Sequence, residues 1–178
     1  MIYRWALVAV AGLLALQVGL VLAFSDHSRL RVNWSRSMPL GLYWATYHDI
    51  NPQAGQLVIA CLPDEIGAMA QQRGYIGTGD CPDGREPVLK RIAAVPGNTV
   101  MLTPWAMWVN DVPVPNFALL ATDSHGREMH GIAMGQYHVQ PGNYWLIANN
   151  VRSSFDSRYF GPLEAATLIG KAQPLLTF

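Results

Sequence analysis

Hydrophobic and polar positions alternate over short distances along most of the chain, with one long apolar exception at the N-terminus. Short runs rich in β-branched and aromatic residues, bounded by Pro, Gly or Asn, are typical of strands. Four such runs cover residues 56–61, 88–95, 107–110 and 144–147. Residues 63–73 predict one short helix, and residues 113–135, which lack a clear period, predict a long surface excursion. The pattern therefore predicts a mainly β domain.

The N-terminal exception extends from Trp5 to Phe24, where Gln17 is the one strongly polar residue. A helix of that length spans roughly 30 Å, which is the thickness of the apolar core of a bilayer. We therefore expect one transmembrane helix at about residues 5–24, within an anchor-and-tether segment 1–31 and ahead of a β-rich domain 32–178. A cleaved signal peptide is the alternative, since Val21-Leu22-Ala23 would suit the cleavage site.

Composition narrows the class of protein. The chain has 178 residues, of which 51% are apolar and 13% charged, so it suits one domain with its own core and excludes a disordered chain. Twelve basic residues balance twelve acidic ones. A protein that neutralises nucleic-acid phosphates needs an excess of basic residues, so we expect no nucleic-acid partner.

The two cysteines, Cys61 and Cys81, are too far apart for a CxxC motif and have no neighbours at metal-finger spacing. A disulfide between them is one interpretation, and two separate buried thiols are the other. A disulfide closing a loop of this size would stabilise the fold by about 3 kcal/mol, and it would persist only in an oxidising compartment. The cysteines therefore favour a domain on the outer side of the cytoplasmic membrane.

Lys90 is the first candidate for chemistry. Alternation along its predicted strand places it on the same face as Val88, Ile92 and Ala94, all of them apolar. Apolar surroundings lower the pKa of a lysine and allow it to act as a general base near neutral pH. The alternative is an edge-strand lysine whose amine reaches water. Lys171, the other lysine, has no hydroxyl motif beside it and is predicted to lie on the surface.

A serine-rich turn within residues 35–43 is the second candidate for chemistry. Pro39 restricts Met38 to extended geometry, so the segment could present the Ser37 hydroxyl rigidly. The Ser37 amide and the Ser35 hydroxyl would then face a developing oxyanion. A plain turn without catalytic function fits the same residues.

A third segment, residues 153–162, is dense in hydroxyl groups and contains Asp156 and Arg158 two positions apart. These two side chains can pair and fix a loop, which leaves a serine free to bond elsewhere. The alternative is a solvated polar loop.

Together these segments carry a resemblance to a known family. They are Ser37-Met38-Pro39, then Lys90-Arg91 followed by Pro96-Gly97, then Ser154-Phe155-Asp156-Ser157-Arg158 with Gly161. In this order they resemble the serine, lysine and Asp-Ser-Arg boxes of the bacterial signal peptidase I superfamily. The first and last boxes are most similar to its conjugative-transfer branch, which matures pilin subunits. The resemblance implies a signal peptidase I-like β domain with one N-terminal transmembrane helix.

For the chemistry, the resemblance implies a serine endopeptidase in which Ser37 is the nucleophile and Lys90 the general base. It implies that Ser35 helps the Ser37 amide to bind the oxyanion. No metal and no cofactor is implied.

The resemblance also implies supporting residues: Ser154 orients the lysine amine, and Asp156 and Arg158 form an ion pair beneath the site. Two positions depart from housekeeping leader peptidases. Asn98 stands where an Asp is common, and residues 148–150 read Ala-Asn-Asn instead of Gly-Asp-Asn. These departures favour a specialised peptidase over a general one.

The implied protein is a single-pass bacterial inner-membrane enzyme with its catalytic domain in the periplasm. Its implied substrate is a membrane-inserted pilin or other preprotein, which it would cleave or cyclise. The other implied partners are the lipid bilayer and other conjugation or secretion proteins. A general leader peptidase and a non-catalytic envelope scaffold are the alternatives.

Asp123, His125, His130 and His138 fall in one region and raise the alternatives of a Ser-His-Asp hydrolase or a metal site, although hydrogen-bonded loop histidines without catalytic function are the favoured interpretation. The Gly-x-Ser-x-Gly elbow of such hydrolases does not accompany them, and their spacing differs from HExxH.

Overall fold

Eleven strands and three α-helices make up the fold in the computed structural model, which describes residues 2–23, 28–117, 119–148 and 150–178. In chain order the elements are α1 (Ile2–Ala23), β1 (Ser28–Asn33), β2 (Gly41–Thr46), β3 (Leu57–Ala60), α2 (Asp64–Gln72), β4 (Val88–Ala94), β5 (Thr99–Leu102), β6 (Met107–Val109), β7 (Val112–Pro113), β8 (Gly135–His138), β9 (Asn143–Ile147), α3 (Ser157–Phe160), β10 (Leu163–Glu164), a 3₁₀ turn (Ala165–Thr167) and β11 (Leu168–Thr177).

The strands form two antiparallel sheets. The larger has seven strands in the order β1-β2-β11-β3-β4-β9-β10, and the smaller has four in the order β7-β6-β5-β8. Buried residues of β4, β5, β6 and β9 form a common core between them, centred on Val100, Leu102 and Trp145. The predicted mainly β architecture is confirmed.

Strand β4 determines where Lys90 lies. It pairs with β3 on one side and β9 on the other, so it is an interior strand of the large sheet. Its side chains alternate as predicted, with Val88, Lys90, Ile92 and Ala94 on the buried face. An interior, buried position excludes the alternative of an edge-strand lysine whose amine extends into water.

Most of the predicted elements are present. Helix α2 and strands β3, β4, β6 and β9 lie where the hydrophobic pattern places them, within two residues at each end. The surface excursion predicted over 113–135 is irregular between β7 and β8, apart from an isolated bridge between Thr122 and Glu128.

The N-terminal segment differs in part from the expectation. Over residues 28–31, strand β1 replaces the predicted tether, because the chain there pairs with β2 in continuous register. Residues 24–27, including the end of the predicted helix at Phe24, lie outside the described residues. Within the described residues no helix is both long and apolar enough to cross a membrane, and the transmembrane character of α1 stays a prediction.

A disulfide joins Cys61, just after β3, to Cys81, with Cα atoms 5.7 Å apart. The residue before Cys81 is Asp80, whose carboxylate lies 3.3 Å from the guanidinium groups of both Arg29 and Arg31 on β1. The disulfide loop is therefore connected to the strand that leads into the serine-rich turn.

Candidate active site

The three sequence boxes converge on one cavity of about 290 Å³. Ser35 and Ser37 line it from the β1–β2 connection, Lys90 from β4, and Ser154 from the segment before α3. These residues are far apart in the sequence, and the antiparallel sheet brings their strands together.

The serine-rich turn connects β1 to β2. Met38, only 2% exposed, anchors the turn in the core, while Ser37 is half-buried beside it. Ser35 and Ser37 are joined twice, by a hydrogen bond of 2.9 Å between the hydroxyl oxygens and by one of 3.3 Å from the Ser37 amide to Ser35 Oγ. Ser35 thus contacts both groups of Ser37 that acyl transfer would use.

Gly41 ends this turn, with a φ of +139°. A Cβ atom there would lie 2.0 Å from the carbonyl oxygen of Leu176 on β11. Only glycine fits this close approach, so the residue fixes where the turn rejoins the sheet.

The Lys90 side chain is 5% exposed, and its Nζ donates a hydrogen bond of 2.8 Å to Ser154 Oγ. Loss of hydration lowers the pKa of Lys90 from 10.5 to about 8, an effect that the negative charge of Asp156 opposes and the positive charge of Arg158 reinforces. A substantial fraction of this amine is therefore neutral near physiological pH, as a general base must be.

Asp156 and Arg158 form a buried ion pair. The Asp156 side chain is 0% exposed and that of Arg158 1%. Arg158 donates to both carboxylate oxygens at 2.7 Å, and its Nη2 also donates to the carbonyl oxygen of Ser154 at 3.0 Å. The pair therefore fixes the backbone that carries the hydroxyl partner of Lys90.

All six predicted catalytic and supporting residues lie at or next to the same cavity. Ser35, Ser37, Lys90 and Ser154 line it, and the Asp156–Arg158 pair is bonded to the Ser154 backbone. Within the described residues, the hydrogen bonds of Ser37 Oγ and Lys90 Nζ go to Ser35 and Ser154, not to each other. The predicted nucleophile and base thus share the cavity, and each is held by its own hydroxyl partner.

Two residues of the site are absent from the sequence-based prediction. Asn33, the last residue of β1, makes hydrogen bonds from its side chain to three residues of the serine-rich turn. Tyr43 donates from its hydroxyl to the Pro39 carbonyl at 2.7 Å. An asparagine directly before a serine-rich turn was the signal that the sequence offered for Asn33.

The histidine-rich region does not form a catalytic triad among the described residues. The Asp123 carboxylate accepts from Arg127 Nε at 2.6 Å and from the Tyr75 hydroxyl at 2.7 Å. His138 instead contacts Thr99 at 3.3 Å. In the described part of the chain no three His, Cys, Asp or Glu side chains are grouped so that they could hold a metal ion.

The chain is similar to known conjugal and plasmid transfer proteins. The chain is 38% identical over 150 residues to the probable conjugal transfer protein TraF of Sinorhizobium fredii, covering 83% of this chain and 77% of that protein. It is 33% identical over 150 residues to a plasmid transfer protein TraF of Escherichia coli, covering 83% of each.

A crystal structure of a signal peptidase I from Enterococcus faecalis superposes with a TM-score of 0.38 at 20% sequence identity, covering 68% of this chain and 97% of that one. The family model described as signal peptidase, peptidase S26, matches residues 2–176. The chain therefore belongs to the signal peptidase family, peptidase S26.

Proposed function

We propose that this peptidase is a serine endopeptidase in which Ser37 is the nucleophile and Lys90 the general base. The observation that carries the proposal is the buried amine of Lys90, whose pKa is lowered to about 8 and which lines the same cavity as Ser37. Burial of a lysine in an apolar core is costly, and a depressed pKa in a cleft is typical of catalytic groups.

The first half of the reaction forms an acyl-enzyme. Neutral Lys90 accepts the Ser37 hydroxyl proton as Ser37 Oγ attacks the carbonyl carbon of the scissile peptide bond. The carbonyl π electrons move to oxygen, and the resulting oxyanion needs donors such as the Ser37 amide and the Ser35 hydroxyl. When the carbon–nitrogen bond breaks, protonated Lys90 gives its proton to the leaving amine, and an ester to Ser37 remains.

In the second half a nucleophile attacks that ester, and Lys90 removes its proton. If the nucleophile is water, the product is a linear peptide with a free carboxylate, and Ser37 Oγ recovers its proton from Lys90. If the nucleophile is the amino terminus of the same peptide, a new peptide bond closes a ring. No water is consumed, so the cyclic product is lighter by one water than the linear peptide. Both routes use the same groups of this chain.

We further propose that the substrate is a pilin precursor used in conjugative transfer. The support is the similarity to relatives that are named conjugal and plasmid transfer proteins. The departures at Asn98 and at residues 148–150 make a general leader peptidase the second candidate rather than the first.

The proposed location is the bacterial inner membrane, with α1 as a single-pass anchor and the β domain in the periplasm. The apolar side chains of α1 are exposed, among them Leu7 at 69% and Val21 at 69%, and lipid would cover them. Four residues separate α1 from β1, so the site would stay close to the membrane and to a membrane-inserted substrate. The disulfide suits an oxidising periplasm.

The substrate proposal is tested by co-expressing a pilin precursor with the wild-type protein or with a Ser37→Ala variant whose folding has been verified. Intact mass then identifies the product. We expect mature pilin with the wild type only, and a product lighter by one water than the linear peptide would identify ring closure. An unprocessed precursor with the wild type would contradict the pilin substrate, and full processing by Ser37→Ala would favour a non-catalytic scaffold.

A further inference from the structure

We propose that Asn33 is a positioning residue for the nucleophile: its carboxamide holds together the two halves of the turn that presents Ser37. The inference rests on the proposed function, in which Ser37 attacks the substrate. It adds a residue whose contribution acts through the turn backbone and not through contact with the reacting atoms.

The Asn33 side chain makes four hydrogen bonds within this turn. Its Nδ2 donates to the carbonyl oxygens of Ser35 at 2.9 Å, Met38 at 3.1 Å and Pro39 at 2.9 Å. Its Oδ1 accepts from the Ser35 amide at 3.2 Å. Two N–H groups are thus shared among three carbonyl oxygens, so this amide fills the centre of the turn.

The turn needs such a brace because of its length. Asn33 and Gly41 are the last paired residues of the β1–β2 ladder, and residues 34–40 between them have no ladder partners. Three carbonyl dipoles directed at one point repel each other unless a donor lies between them. A carboxamide supplies that donor without a charge.

Ser37 lies between the two braced halves. On its N-terminal side, Ser35 is bonded to Asn33 through both its amide and its carbonyl oxygen. On its C-terminal side, Pro39 is held by Asn33 and by the Tyr43 hydroxyl. Without the carboxamide, the N-terminal half keeps the longer bonds from the Met38 amide to the Ser35 carbonyl oxygen at 3.4 Å and from Asn150 Nδ2 to the Arg36 carbonyl oxygen at 3.3 Å. Tyr43 still holds the other half at 2.7 Å, so the weakened N-terminal half moves and the Ser37 hydroxyl shifts relative to Lys90.

A purely structural role would have a different signature. Asn98 serves as the matched control, because its Oδ1 accepts from the Val95 amide at 3.0 Å and braces a turn outside the cavity. An Asn98→Ala variant removes one side-chain hydrogen bond within a turn, so it measures the cost of losing an asparagine side chain that stabilises a turn away from the cavity. Asn33→Asp is the informative change at the site, because it keeps the shape and the acceptor but directs a carboxylate oxygen at the three carbonyl oxygens.

The experiment measures kcat and KM for cleavage of a precursor peptide by full-length wild type, Asn33→Asp, Asn33→Ala and Asn98→Ala, each normalised to folded protein. Displacement of a nucleophile by about 1 Å costs on the order of 100-fold in rate. We therefore expect kcat to fall about 10- to 100-fold in both Asn33 variants while KM changes less than about twofold. In Asn33→Ala the pH midpoint of the rate should stay that of the wild type, because that change introduces no charge and leaves Lys90 untouched.

Two results would overturn the inference. One is full kcat in Asn33→Asp. The other is equal losses of kcat in the Asn33 and Asn98 variants, which would indicate general destabilisation. Ser37→Ala, measured in the same series, separates this inference from the proposed function. If Ser37→Ala is inactive while Asn33→Asp is fully active, only the positioning role fails; if Ser37→Ala is active, the nucleophile assignment fails as well.

Discussion

The Nζ atom of Lys90 lies 2.8 Å from the hydroxyl oxygen of Ser154, at the wall of a cavity that Ser37 also lines. The contact joins an interior strand to a segment 64 residues later in the chain. Arg158 fixes the Ser154 backbone by donating a hydrogen bond of 3.0 Å from its Nη2 to the Ser154 carbonyl oxygen. The direction in which the amine points is therefore determined by the Asp156–Arg158 pair, through Ser154.

Ser154→Ala should impair catalysis more than it impairs folding. Without the hydroxyl, the Lys90 amine loses the hydrogen-bond partner that fixes its position, so we expect kcat to fall about 10- to 100-fold with KM nearly unchanged. Steady-state kinetics on a precursor peptide measure the effect. Ser153→Ala is the control: this exposed neighbour lines the same cavity, but the hydrogen bond from Lys90 Nζ goes to Ser154, so the variant should retain activity. Equal activity of the two variants would show that Ser154 does not orient the amine.

The rate should depend on pH through Lys90. Its pKa is lowered to about 8, and only the neutral amine can accept the Ser37 proton. The neutral fraction rises with pH, so kcat/KM should increase about tenfold per pH unit below the pKa and level off above it. A pH–rate profile measures this directly.

The control for that profile is Lys171→Ala, which removes the other lysine and should leave the midpoint unchanged. A flat profile from pH 6 to pH 9, with the chemical step limiting the rate, would be inconsistent with Lys90 as the base.

Asp156→Ala should destabilise the fold strongly. Arg158 is 1% exposed, and Asp156→Ala removes the carboxylate that lies 2.7 Å from its buried guanidinium group. Breaking a buried pair in this way costs about 3–5 kcal/mol. Equilibrium unfolding in denaturant measures the loss of free energy.

A double variant, Asp156→Ala with Arg158→Met, provides the control. The two changes should be non-additive, with the double variant more stable than the sum of the single losses predicts, since the buried cation is removed together with its carboxylate. Strict additivity would mean that the two residues contribute independently to stability.

Opening the disulfide should weaken the fold without changing the catalytic groups. The bond closes a sequence separation of 20 residues, for which the chain-entropy model predicts about 3 kcal/mol of stabilisation. Denaturant unfolding of the wild type with and without reductant should give this difference, and a Cys61→Ala/Cys81→Ala variant should not respond to reductant. No change in wild-type stability on verified reduction would refute the prediction.

Much of the site could be predicted from local sequence. Strand alternation alone places Lys90 on an apolar face, and the structure confirms that face. The serine-rich turn and the Asp-Ser-Arg segment stand out because small hydroxyl and paired charged residues are concentrated in short stretches. Such features depend on neighbours in the chain, which the sequence displays directly.

Features that depend on distant partners were harder to predict. Strand β11 contains Gly170 and Pro174, which local rules disfavour within a strand, yet the sheet accommodates Pro174 next to an irregularity in its pairing with β2. Strand β1 carries Arg29 and Arg31, which suggest a polar tether until Asp80 is seen beside them. The role of Asn33 likewise requires knowledge of how the turn folds back on its side chain.

The most direct test of the central claim compares cleavage of a precursor peptide by purified wild type, Ser37→Ala and Lys90→Ala, with Lys171→Ala as control and each variant verified as folded. Residues that act as one catalytic unit lose nearly all activity when either is removed. We expect a loss on the order of 1,000-fold or more in both Ser37→Ala and Lys90→Ala, and activity within about twofold of wild type in Lys171→Ala. Substantial cleavage by either Ser37→Ala or Lys90→Ala would contradict the Ser37–Lys90 assignment.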